Sequence, residues 1–160
     1  MTLEPMNDAA IGPGGTARKQ PPLRLLAYDA DDLQVVSAAL QDAILRPADI
    51  RWEHAQRQVT VALSRFCWEC GGTRVLAAMQ FGDVSGVKAR GLDRSDETPL
   101  ELLAMHFEPS ADEPPGGAVI LMFAGGGDLA IEVDCLDVVL ADLSERWPAA
   151  TAPQHPMDEA

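Results

Sequence analysis

Apolar and polar residues alternate along most of the middle of this chain, the period-two pattern of half-buried strands. Residues 59–66 set Val59, Val61 and Leu63 on one face and Thr60, Ala62 and Ser64 on the other. Val75, Ala77, Met79 and Phe81 repeat the stripe, and Leu103, Met105 and Phe107 alternate with Leu102, Ala104 and His106. Shorter strands are predicted over 50–53, 84–90, 118–124 and 129–133. The polar link containing His54 and Gln56 makes the first pair a hairpin. Gly125, Gly126 and Gly127 supply the positive φ that a turn between the last two requires. Residues 93–99 and 109–117 are turn-rich links.

Helical spacing replaces this pattern near both ends. After a short strand over 23–28, Asp29 stands as an N-cap with Asp32 three positions on. Tyr28 and Leu33 are spaced as a hydrophobic staple. Leu33, Val36 and Leu40 share one face, and the helix ends before Pro47, because a residue preceding proline is driven from the helical region. At the other end Asp134 reads as a cap, Asp137 as N3, and Val133 with Val138 as a second staple. Leu136, Val139, Leu140, Leu143 and Trp147 then form an apolar helical stripe that Pro148 terminates.

Seven strands from Ile50 followed by one helix is the order of a pleckstrin-homology-like barrel. The expected fold is therefore α+β: a seven-stranded, mostly antiparallel barrel with a C-terminal capping helix and an extra N-terminal strand-helix unit. The alternative is an α+β sandwich with both helices on one sheet face. Residues 1–22 read as a flexible, disordered leader, 23–147 as a single α+β domain, and 148–160 as a flexible tail.

Charge narrows the partners. The chain has 25 acids against 12 bases, a net charge of -13. Only four of those acids and two of the bases lie outside residues 23–147, so the predicted domain itself is acidic. Such a surface repels phosphate backbones and anionic lipid, which argues against nucleic acid and membrane partners. A basic protein partner is compatible with it. No apolar run is long enough to span a bilayer, no hydrophobic block for export stands near the start, and three cysteines are too few for a disulfide framework. The expected location is the cytoplasm.

Four basic residues, Arg65, Arg74, Lys88 and Arg90, come from neighbouring predicted strands. If they converged they would bind a carboxylate, phosphate or acidic segment, flanked by Trp52 and Trp68. Arg65 interrupts an otherwise apolar face, so it draws most attention. Pairing with Glu53, Glu69 and Asp83 would leave the four bases structural instead. His106 and Glu108 fall on one face of a strand and form a candidate acid–base pair, which needs a nucleophile beside it. Cys67 and Cys70 show a two-residue spacing, but Gly71 and Gly72 follow where a redox motif requires a helix. A zinc site would need Cys135 and His106 or His54 in addition, so no metal and no cofactor are expected. Cys135, read at N1 of the last helix, would have a modestly lowered pKa. The glycines at 125–127 join two strands and precede Asp128, so they do not cradle phosphate.

Several segments together resemble a known family. They are Leu23-Arg24-Leu25-Leu26-Ala27-Tyr28-Asp29, Leu40-Gln41-Asp42-Ala43, Arg65-Phe66-Cys67-Trp68-Glu69, Phe123-Ala124-Gly125-Gly126-Gly127 and Asp134-Cys135-Leu136-Asp137, with residues 143–147. The chain resembles the bacterial, mainly alphaproteobacterial domain-of-unknown-function family numbered 2948, over residues 23–156. The resemblance implies no activity, substrate or catalytic residue.

The sequence thus points to an uncharacterised non-catalytic protein- or peptide-binding module with no catalytic residues. The alternative is a small enzyme or anionic-ligand-binding protein built on His106, Glu108 and Arg65. A third reading is a homodimer formed through a strand edge or the Trp52 and Trp68 region.

Overall fold

The structure is a computed structural model that describes residues 21–67, 71–92 and 97–144, and the backbone of 147–148. Most of the expected leader and tail, with Trp68, Glu69 and Cys70, lies outside the described residues.

The opening unit forms as its pattern predicts. Strand β1 (Arg24–Ala27) runs into helix α1 (Ala30–Ala39), and Asp29 caps the helix by accepting from the Asp32 amide at 2.7 Å. Leu33, Val36 and Leu40 are all buried, while Tyr28 remains 60% exposed and does not close the expected staple. The seven segments expected between Ile50 and Val133 are all strands: β3 (Ile50–Glu53), β4 (Gln58–Cys67), β5 (Thr73–Phe81), β6 (Val84–Arg90), β7 (Leu100–Pro109), β8 (Gly117–Phe123) and β9 (Asp128–Val133). The two-residue strand β2 (Ile44–Leu45) precedes them.

The expected C-terminal capping helix does not form. A turn over 134–137 leads into strand β10 (Val138–Asp142), and a two-residue strand β11 (Trp147–Pro148) follows. The reason is a second periodicity in the same residues. Leu136, Val138 and Leu140 alternate, and all three are buried, so the segment also satisfies a strand. The β-branched pair Val138 and Val139 favours that outcome. Tertiary pairing decides it: β10 is bonded antiparallel to β1 on one side and β5 on the other.

No barrel closes either. The eleven strands follow an open path, β1-β10-β5-β4-β2-β7-β8-β9-β6, with β3 added to β4 and β11 to β5. Its two ends, β1 and β6, are not paired with each other among the described residues. A pleckstrin-homology-like barrel would need that closure, and β10 occupies the flank of β5 that the expected helix would have left bare. Every pairing between described strands is antiparallel.

The path has two limbs, and in the strand order among the described residues β2 bridges them by pairing with β4 and β7. Inward side chains of β1, β10, β5 and β4 meet those of β7, β8 and β9 in one apolar cluster that includes α1. Helix α1 also covers an edge of β7. The Met105 amide donates to Ser37 Oγ at 2.9 Å, and Gln34 Nε2 donates to the Met105 carbonyl at 3.4 Å. A helix laid along an edge in this way satisfies groups that would otherwise template another strand. On the far side of the second limb, β8 begins at Gly117. A Cβ there would lie 2.3 Å from the Glu108 carbonyl oxygen, so glycine is required for β7 and β8 to meet.

Candidate functional site

The four basic residues do not converge. Arg65 sits on the inward face of β4, following Val59, Val61 and Leu63, and is 2% exposed. Asp142 is the next inward position of β10 after Val138 and Leu140. The two meet in a bidentate pair, with Arg65 Nε to Asp142 Oδ1 at 2.8 Å and Nη2 to Oδ2 at 2.9 Å. Asp142 Oδ2 also accepts from the Leu23 amide at 2.8 Å, which ties the start of β1 into the same lock.

Arg74 lies opposite Phe66 across the β4–β5 ladder, on the face turned away from Arg65. Its guanidinium stands 5.5 Å over the Phe66 ring and donates through Nη1 to the Ser64 carbonyl at 3.0 Å. Burial lowers its pKa, opposed by the nearby Asp42 and Glu101 carboxylates. Lys88 and Arg90 are on β6, at the far end of the path. Lys88 Nζ pairs with Glu132 Oε2 at 3.1 Å, and Arg90 makes a bidentate pair with Asp128 at 3.1 and 2.9 Å. That pairing raises the Arg90 pKa further. All four cations are committed to structure.

Trp52 packs half-buried against the core, with His54 tilted against it at 4.3 Å between ring centres. Its expected companion Trp68 lies outside the described residues. His106 Nε2 and Glu108 Oε2 do meet, at 3.0 Å, on the solvent face of the second limb. Arg65 is on the inward face of the first limb, so the three residues of the enzyme reading share no cavity. Among the described residues, no three His, Cys, Asp or Glu side chains are grouped to hold a metal ion.

The cysteines depart from expectation. Cys67 is buried and disulfide-bonded. Cys135 is free and is not at a helix start, because that helix is absent. Its thiol donates to Asp83 Oδ2 at 3.1 Å. That hydrogen bond, then burial and the charges of Asp83, Asp137 and Asp134, push its pKa up rather than down.

A concavity lies elsewhere, on the outer face of the second limb. Register sets Gly86, Glu132, Ala118 and Glu108 side by side across β6, β9, β8 and β7. The loop after β7 rises over one end of this row. Together they enclose an open cleft of about 550 Å³ lined by Ser85, Glu108, Ser110, Glu113, Glu132 and Asp134, among others. Arg57 pairs with Asp134 and Lys88 with Glu132 at the rim. The Glu113 carboxylate has no ion-pair or hydrogen-bond partner among the described residues.

Of these residues the sequence reading weighed Glu108 and Lys88 as site candidates, named Ser85 merely as one serine among others, and took Asp134 for a helix cap. The others are separated by tens of positions and converge through the order β7-β8-β9-β6. Asp142 did carry a signal. Once residues 136–142 are read as alternating, it is an acid on an apolar stripe, the mirror of Arg65 on β4.

These features define an acidic antiparallel α+β fold with a cleft on one limb and, among its described residues, no group of three His, Cys, Asp or Glu side chains placed to hold a metal ion. The chain belongs to the family described as "Protein of unknown function (DUF2948)", whose model matches residues 23–155. No curated protein and no solved structure matches it. No helix among the described residues is long and apolar enough to cross a membrane.

Proposed function

We propose that this protein is a non-catalytic peptide- or protein-binding module that takes an extended segment along β6. The observation that carries this reading is the state of that strand's outer edge. β6 ends the sheet path, and among the described residues its strand partner is β9. Its Val84 amide is satisfied outward by the Arg57 carbonyl at 2.9 Å. From Ser85 to Arg90 the outward backbone groups have no backbone partner among the described residues.

Edge strands are commonly guarded by charged side chains that repel an incoming chain. Here the two candidates are drawn away from the edge, because Lys88 and Arg90 reach back across the sheet to Glu132 and Asp128 of β9. Strand addition on such an edge uses main-chain hydrogen bonds for affinity and alternate side chains for selection.

Proline scanning tests this. Neighbouring strand residues aim their amides at opposite edges, so Val87→Pro and Lys88→Pro separate an outward donor from one that holds β9. The variant that keeps wild-type thermal unfolding is then titrated with fluorescent extended decapeptides that bind the wild type. Loss of binding in that variant supports strand addition. Unchanged binding sinks it, as does failure of basic, neutral and acidic decapeptides alike to bind the wild-type protein.

A further inference from the structure

We infer that the segment accepted along β6 is basic, and that the acidic cleft receives one of its lysine or arginine side chains. This deepens the proposed function and rests on it.

The edge and the cleft are continuous. Ser85 belongs to the unpaired stretch of β6 and also lines the cleft. Gly86, beside it, opens the way between them: a Cβ there would stand 2.6 Å from Glu132 Oε1, so the carboxylate lies over bare backbone. Glu132 therefore reaches from β9 across Gly86 toward the free edge. A strand added at that edge points alternate side chains to the face where the cleft opens. One of them passes the cleft mouth at Ser85.

The lining selects the sign of that side chain. Four carboxylates border the cleft, from Glu108, Glu113, Glu132 and Asp134. Arg57 and Lys88 answer two of them from the rim, and Glu113 has no ionic partner among the described residues. The cleft thus keeps a negative excess inside a chain of net charge -13, which also steers cationic partners toward it. The acids are too dispersed to form a metal cluster among the described residues. Ser85 and Ser110 also line the cleft. A cation on a flexible stem, with several donors to distribute, matches this arrangement better than a bare ion does.

The test uses the full chain and three fluorescent decapeptides, alternating Lys–Val, Thr–Val and Glu–Val, read by anisotropy. The expected result is tightest binding of Lys–Val, weakening as salt is raised. A Glu108→Gln, Glu113→Gln variant keeps the Lys88–Glu132 and Arg90–Asp128 pairs, weakens Lys–Val about tenfold, the scale of losing a charge-assisted contact, and leaves Thr–Val unchanged. A control variant, Asp31→Asn with Glu53→Gln, removes two acids outside the cleft lining and should bind Lys–Val as the wild type does.

Equal binding of Lys–Val and Thr–Val would overturn the basic partner while leaving strand addition intact. So would equal losses in the cleft and control variants, which would reduce the effect to overall charge. Lys–Val binding that survives the stable proline variant would overturn strand addition, and this inference with it.

Discussion

Arg65 with Asp142 and Arg90 with Asp128 are the same chemistry in two regions of one molecule. Both are bidentate cross-strand pairs of guanidinium and carboxylate, with bonds between 2.8 and 3.1 Å. They differ in solvent. The first pair has side chains 3% and 2% exposed, whereas Arg90 is 80% exposed. Water and salt screen the outer pair, and an unpaired Arg90 would simply be solvated. An unpaired Arg65 or Asp142 would be a charge left inside the protein, with no water to take the lost partner's place. Identical geometry therefore supports opposite roles. The inner pair locks three strands at the end of the core, and the outer one positions side chains on an edge.

The sharpest way to break this comparison is to remove Asp142. Asp142→Ala takes the bidentate carboxylate from the buried Arg65 guanidinium and the acceptor from the Leu23 amide, so the expected loss is about 3–5 kcal/mol in urea denaturation. A double replacement, Arg65→Met with Asp142→Leu, removes both charges and should recover most of that loss. If the double variant is as unstable as the single one, the pair stabilises by its own attraction. The account based on desolvation would then be wrong.

This lock also marks where the sequence stops being legible. Period-two stripes identified every strand from Ile50 to Val133, because each runs long enough to show one buried face. The Asp29 cap and the Leu33, Val36, Leu40 face were equally readable. Residues 134–147 were not, since Leu136 and Leu140 fit both periods. The choice was made by β1 and β5, far away in the chain. Reading that segment as a helix hid Asp142, and with it the partner of Arg65. The acidic cleft was hidden differently. Its carboxylates come from β7, β9 and the loops beside them, so only the order of the strands brings them together.

A smaller effect sharpens the comparison at a third carboxylate. Asp83 accepts from the Cys135 thiol at an exposed site, where charge changes reactivity more than folding. A raised thiol pKa means less thiolate at a given pH, so Cys135 should alkylate slowly near neutrality, with its rate rising only in more alkaline solution. Asp83→Asn removes the largest cause of that shift. It should move the pH–rate curve for iodoacetamide to lower pH, with mass spectrometry reporting modification at Cys135. A curve that stays in place would show that burial and the other acids, Asp137 and Asp134, control this thiol.

The smallest expected effect belongs to Arg90. Truncation in Arg90→Ala costs little, since the side chain removed is 80% exposed and water can enter beside Asp128, which is 19% exposed in the pair. Its urea midpoint should match that of the wild type at low and at high salt. The pair's consequence lies on the edge instead. With Arg90 held across β9, the outward backbone of β6 stays uncovered. Asp128→Ala frees the guanidinium to swing over that edge and act as the guard it is not at present. Unfolding should again be unchanged, while the neutral Thr–Val decapeptide loses affinity. The two variants thus split the outer pair as Asp142→Ala splits the inner one: stability responds to the carboxylate of the inner pair, and access to the edge responds to that of the outer pair.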